Sequence, residues 1–245
     1  MLLRTILQDE FRLLTFRKPG AGIGEHPGAY LAFGMCMTWM AGIGRYWDNA
    51  NVQLWQHLGL GSLAYVCCLA LVIWLLVAPL GPANWSYRKV LLFVTLTSPP
   101  AILYAIPVES FLAPSSAVAV NAGFLAIVAL WRVALLFVFL RRAAGLTGYK
   151  IVVAALLPLA LVIDVLAILN LERAVSGAMA GIPDAAASDG EAAHSVVRVI
   201  CGVSILSTPV LLALYGVLAR RARAMGTRRM ATRHDGLVAS SVITT

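Results

Sequence analysis

The sequence predicts an all-α protein: a polytopic bundle of six membrane-spanning helices preceded by an amphipathic helix lying in the membrane interface. Three observations carry that reading. Of 245 residues, 60% are hydrophobic and 12% charged, against roughly 45–50% and about 25% in soluble domains. Six stretches approach the roughly 20 apolar residues that cross a bilayer. Basic residues collect in alternate connections between those stretches. A soluble domain of this size needs a charged exterior that this chain lacks, which excludes a soluble enzyme, a nucleic-acid-binding domain and a disordered chain.

Residues 1–18 come first. Leu2, Leu3, Ile6, Leu7, Leu13 and Leu14 cluster on one side of a helix, with Arg4, Gln8 and Arg12 at spacing four on another. That pattern suits an interfacial helix whose arginines meet anionic headgroups. A helix docked beneath the bundle is the rival reading. Gly20, Gly22 and Gly24 then read as a flexible hinge. Charges at Arg4, Asp9, Glu10, Arg12, Arg17 and Lys18 leave no unbroken apolar centre for a cleavable leader.

The six spans are 27–44, 58–80, 90–108, 116–140, 151–171 and 199–219. The fourth is set to begin at the Pro114-Ser115-Ser116 start signal. Two spans carry one charge each, Arg132 and Asp164. Between spans, residues 45–57 hold Tyr46, Trp47 and Trp55, which suit a membrane–water boundary. Residues 172–198 form the long outer loop, small and acidic, with a short helix expected near 173–180. The basic tail 220–245 is expected to be partly disordered.

Fifteen of the nineteen basic residues fall in the amino-terminal segment, the 2–3 and 4–5 turns, and the tail. Arg45, Arg173 and Arg198 fall on the other side. Both termini are therefore expected in the cytosol, and the net charge of +8 is a topology determinant, not a nucleic-acid footprint. Three lysines against sixteen arginines, with heavy alanine use, suggest a GC-rich bacterial genome and hence the cytoplasmic (inner) membrane.

Arg132 and Asp164 are the residues most suggestive of chemistry, because a charge inside the bilayer costs about 2.5–3.5 kcal/mol even on the lenient scale. Spans 4 and 5 are consecutive and antiparallel, so the two are expected to form an ion pair or a water-bridged network. That pair serves a proton or ion pathway, or fixes helix register; separate snorkelling of each charge is the third reading. Pro99, Pro100, Pro107, Pro158 and Pro209 are expected to break or kink their helices, and broken helices build transporter sites. Gly34, Thr38 and Gly42 form a small-residue face for internal packing or homodimerisation.

Cys36, Cys67, Cys68 and Cys201 lack metal or redox spacing, and the four histidines divide between the two sides. No catalytic motif, cofactor fingerprint or metal site follows.

Ser86-Tyr87-Arg88 precedes a span with a Pro99-Pro100 break. Leu130-Trp131-Arg132 leads through Leu135-Leu136 to a basic turn with Ala144-Gly145-Leu146. Ala154-Ala155-Leu156-Leu157-Pro158-Leu159 follows. Across 86–161 this resembles the Yip1-type membrane domain family. The resemblance implies a helical bundle with a cytoplasmic amino terminus and no catalytic residues, whose eukaryotic relatives work with small GTPases in membrane traffic. The expected function is a non-catalytic membrane scaffold or accessory subunit with a membrane or cytoplasmic protein partner. The alternative is a small transporter or channel using Arg132 and Asp164; an enzyme ranks last.

Overall fold

In the computed structural model all regular elements among the described residues are helical. The structure describes residues 1–44, 47, 53–169 and 191–242, with backbone alone at 109, 114, 115, 118, 191–197 and 225–242. Among the described residues four stretches are long and apolar enough to cross a membrane: Leu60–Leu80, Ala119–Arg142, Tyr149–Ile168 and Arg198–Ala224. Only 28%, 22%, 39% and 17% of their apolar windows are buried in the chain. Most of their Leu, Ile and Val side chains are therefore exposed in whole or in part, where lipid is a better solvent than water.

Helix α1 (Leu2–Leu14) is shorter than the expected 1–18, because Phe16 adopts a left-handed φ of 61°. The single turn α2 (Gly22–Glu25) leads into α3 (Pro27–Gly44), which starts on a proline whose missing N–H costs nothing there. After α4 (Leu54–His57), Gly59 turns the chain at φ 66° into α5 (Leu60–Val77), which continues through a 3₁₀ turn to Leu80. A side chain at Gly59 would stand 2.8 Å from the Trp39 carbonyl oxygen, so both its conformation and the close α3–α5 approach require glycine.

Helix α6 (Tyr87–Leu96) is capped by Ser86, whose hydroxyl accepts the Lys89 N–H at 3.4 Å. It ends before Pro99-Pro100, and 3₁₀ segments follow at Pro99–Ala105 and Val108–Ser110, separated by Pro107. Two adjacent prolines remove two successive backbone donors, so the α-ladder cannot continue. Pro158 and Pro209 do not end their helices: α8 (Tyr149–Ile168) and α9 (Glu191–Val242) continue through them. A lone proline removes one donor, and packing of the flanking turns holds the helix together.

Helix α7 (Pro114–Arg142) starts two residues before the expected Ser116. Its cap position is Ala113, with Pro114 in the first turn, so the serine cap does not form. Helix α9 begins at Glu191, inside the expected outer loop, and continues to Val242 through the expected disordered tail. Its Ala, Arg and Met residues are strong helix formers. The short helix expected at 173–180 lies outside the described residues.

The core lies between α5, α6, α7 and α8. Ile73, Val90, Phe93, Leu135, Leu140 and Ala155 are among its buried residues. Phe93 stacks on Phe139 with centroids 4.1 Å apart. At one end of the bundle the basic turns meet. Arg142 donates to the Phe16 carbonyl at 2.8 Å, Lys150 to that of Leu80 at 3.0 Å, and the Ala83 N–H to that of Ala144 at 2.9 Å. Ala222 of α9 lies against Gly81.

Candidate functional site

The expected intramembrane acid is buried, but its partners differ from the expectation. Asp164 is 8% exposed. Its Oδ1 accepts the Ser204 hydroxyl at 2.6 Å and its Oδ2 the Thr208 hydroxyl at 2.5 Å. Ser204 and Thr208 stand four residues apart and so share one face of α9. Ser204 also lies 3.1 Å from the Ala160 carbonyl, one turn before Asp164 on α8. Each hydroxyl has one proton, and in each case the carboxylate is the nearer acceptor.

No ion pair joins Asp164 to Arg132. The ion pair found among the described residues is Arg12–Asp9 at 3.7 Å. Arg132, half-buried on α7, belongs to the neighbouring helix, whereas the acid faces α9. Two hydroxyls presented at the right spacing fill both carboxylate oxygens, so the acid needs no cation to satisfy it. The signal for this was in the sequence: the spacing of Ser204 and Thr208 in the same span as Pro209.

The small-residue face of α3 packs inside the chain. A Cβ at Gly34 would stand 2.6 Å from Thr95 Oγ1, and one at Gly42 would stand 2.7 Å from Ser62 Oγ and 2.9 Å from the Gly59 carbonyl oxygen. Thr38 lies between them. Its hydroxyl bonds the Gly34 carbonyl at 2.8 Å and the Ser98 hydroxyl at 2.9 Å. The polar groups at the Pro99-Pro100 break are otherwise met locally, with Thr97 and Ser98 both reaching the Val94 carbonyl.

A second acidic site forms at the end of the bundle where the basic turns meet. Asp9 of α1 is 2% exposed. It accepts the Tyr30 hydroxyl at 2.6 Å and the Gly20 N–H at 2.7 Å. Gly20 and Gly22 are small for a reason. A Cβ at Gly20 would stand 2.8 Å from Asp9 Oδ1, and one at Gly22 2.5 Å from the Tyr30 hydroxyl. The glycine run is thus a close wrap around a carboxylate, and the flexible hinge expected from its composition is replaced by that clasp.

Glu10 is also buried, 7% exposed, and neither carboxylate oxygen has a hydrogen-bond partner. Removal from water pushes its pKa up to about 8. Ile6 and Leu13 pack beside these acids against Tyr30, Leu92 and Leu96. The same helix is tied to α7, where Trp131 Nε1 donates to the Leu14 carbonyl at 2.9 Å and its ring stacks on Phe16. Nothing in the apolar spacing of residues 1–18 points to this inward turn of two carboxylates.

Among the described residues, no group of His, Cys, Asp and Glu is placed to hold a metal ion. Comparison with known proteins adds no relative: no protein-family model, curated protein or solved structure matches the chain.

Proposed function

We propose that the protein is a non-catalytic integral membrane protein of Yip1-like type, with six spans and both termini in the cytosol. It acts as a scaffold or accessory subunit in a bacterial cytoplasmic (inner) membrane. The observation that carries the reading is the meeting of the basic turns at one end of the bundle. Residues 17–18, 88–89, 141–142, 150 and 220–223 fall in or beside the segments that meet there, as retention on the cytosolic side requires.

The two spans beyond the four most apolar helices are α3 and the broken segment from α6 to Ser110. Each packs one face on protein. Six of the ten residues of α6 are buried, and the α3 face of Gly34, Thr38 and Gly42 closes on α5 and α6. A helix face packed on protein accepts glycine, threonine and serine, which let the backbones approach closely. Asp164, held by two hydroxyls, supports a helix-to-helix clasp more than an ion pathway.

Alkaline phosphatase and green fluorescent protein fused at each terminus test the topology. Fluorescence without phosphatase activity at both ends is expected; opposite results at the two ends would refute six spans. Proteoliposome flux tests the scaffold reading, since substrate-dependent flux abolished by Asp164→Asn would establish transport in its place.

A further inference from the structure

Helix α1 turns outward a face that apolar spacing alone does not give. Ile6 and Leu13 go beneath it with the two acids, while Leu3, Leu7 and Phe11 remain on the outside, Phe11 at 63% exposure. Exposed Arg4, Gln8 and Arg12 run alongside at spacing four. Arg17, in the turn that follows, closes one end, and these residues line a shallow groove of about 600 Å³.

The groove carries three arginines and no acid. Asp9 reaches toward Arg12 from beneath at 3.7 Å, but its carboxylate is committed to Tyr30 and Gly20. An apolar strip edged by guanidinium groups is complementary to one kind of molecule, an anion on an acyl chain. Guanidinium forks match phosphate oxygens, and Leu and Phe match hydrocarbon. The position agrees, because the turn after α1 is bonded to Arg142 at the basic end of α7.

We propose that this groove holds an anionic phospholipid of the cytoplasmic leaflet. Its phosphate sits among Arg4, Arg12 and Arg17, and its acyl chain lies along Leu3, Leu7 and Phe11. The proposal rests on the membrane placement above and adds a specific lipid site to it. The clasp at Asp9 and the Trp131 contacts hold the helix so that this face stays outward.

The test is native mass spectrometry of the purified full chain, titrated in detergent with phosphatidylglycerol or phosphatidylcholine. The wild type retains phosphatidylglycerol in preference. R4Q/R17Q, which leaves the Arg12–Asp9 contact intact, loses at least tenfold of that affinity, at roughly fivefold per arginine. R220Q/R221Q, exposed charges elsewhere at the same end, keeps it. Matched melting temperatures establish that the variants fold. Equal retention of the two lipids by the wild type overturns the proposal whatever the variants do. So does an equal loss in R220Q/R221Q, or displacement of the lipid by inorganic phosphate at millimolar concentration. Failure of the membrane reading itself looks different: the chain is recovered from cells without detergent.

Discussion

The unpartnered Glu10 carboxylate predicts that docking of the amino-terminal helix depends on pH. In the docked helix burial holds Glu10 at about 8; released into water it returns to its ordinary 4.5. The docked state therefore holds the proton more tightly. Below about pH 4.5 both states are neutral and docking carries no penalty. As pH rises toward 8 the released helix ionises first, and docking weakens with each unit. Above about pH 8 both are ionised and the loss levels off. The gap of about 3.5, at about 1.36 kcal/mol per unit, sets a ceiling of about 5 kcal/mol. Between pH 5 and pH 8 the expected loss is up to about 4 kcal/mol. Hydrogen exchange of the peptide spanning Leu2–Leu14 measures it, in nanodiscs and with intrinsic rates corrected for pH. The wild-type opening free energy falls across that range. Glu10→Gln, neutral throughout, is flat and as protected at pH 8 as the wild type is at pH 5. A flat wild-type profile, or the same slope in both proteins, refutes the reasoning.

Gly20→Ala pushes a methyl to 2.8 Å from Asp9 Oδ1; it is expected to loosen the same peptide by about 1–3 kcal/mol without changing its pH slope, read by the same exchange measurement. Gly34→Ala meets Thr95 at 2.6 Å and is expected to lower thermal stability in detergent by about 1–3 kcal/mol, whereas Gly123→Ala, with nothing within 4 Å, is neutral or slightly stabilising. Ser204→Ala with Thr208→Val strips Asp164 of both donors and should cost roughly 1–3 kcal/mol of unfolding free energy. Adding Asp164→Leu should recover part of that loss, which a denaturation series on the wild type and the two variants would show.

Where lipid is the solvent, hydrophobicity specifies the element directly, and the sequence is most legible there. Spans expected at 58–80 and 151–171 correspond to Leu60–Leu80 and Tyr149–Ile168. The double proline ends α6 as its two missing donors dictate. Legibility fails where one helix must choose a neighbour. For Asp164 the one opposite charge inside an expected span, Arg132, is the obvious cue, yet two hydroxyls on α9 fill the carboxylate. It fails again in α1. Leucine spacing groups Ile6 and Leu13 with Leu3 and Leu7, but the helix is rotated so that Asp9 meets Tyr30 and Glu10 is buried with it. Buried acids run against the general tendency, and the Tyr30 and Gly20 donors that draw Asp9 inward are 21 and 11 residues away.

The ties between α1 and α7 have a consequence for biosynthesis. Leu14 and Phe16 leave the ribosome early, but Trp131 and Arg142, which bond their carbonyls, follow 117 and 126 residues later. At about 5–20 residues per second that is an interval of roughly 6–25 s. Throughout it the amino-terminal segment has no α7 to hold it, and only its contacts with the helices already made, such as Asp9 with Tyr30, can fix its place.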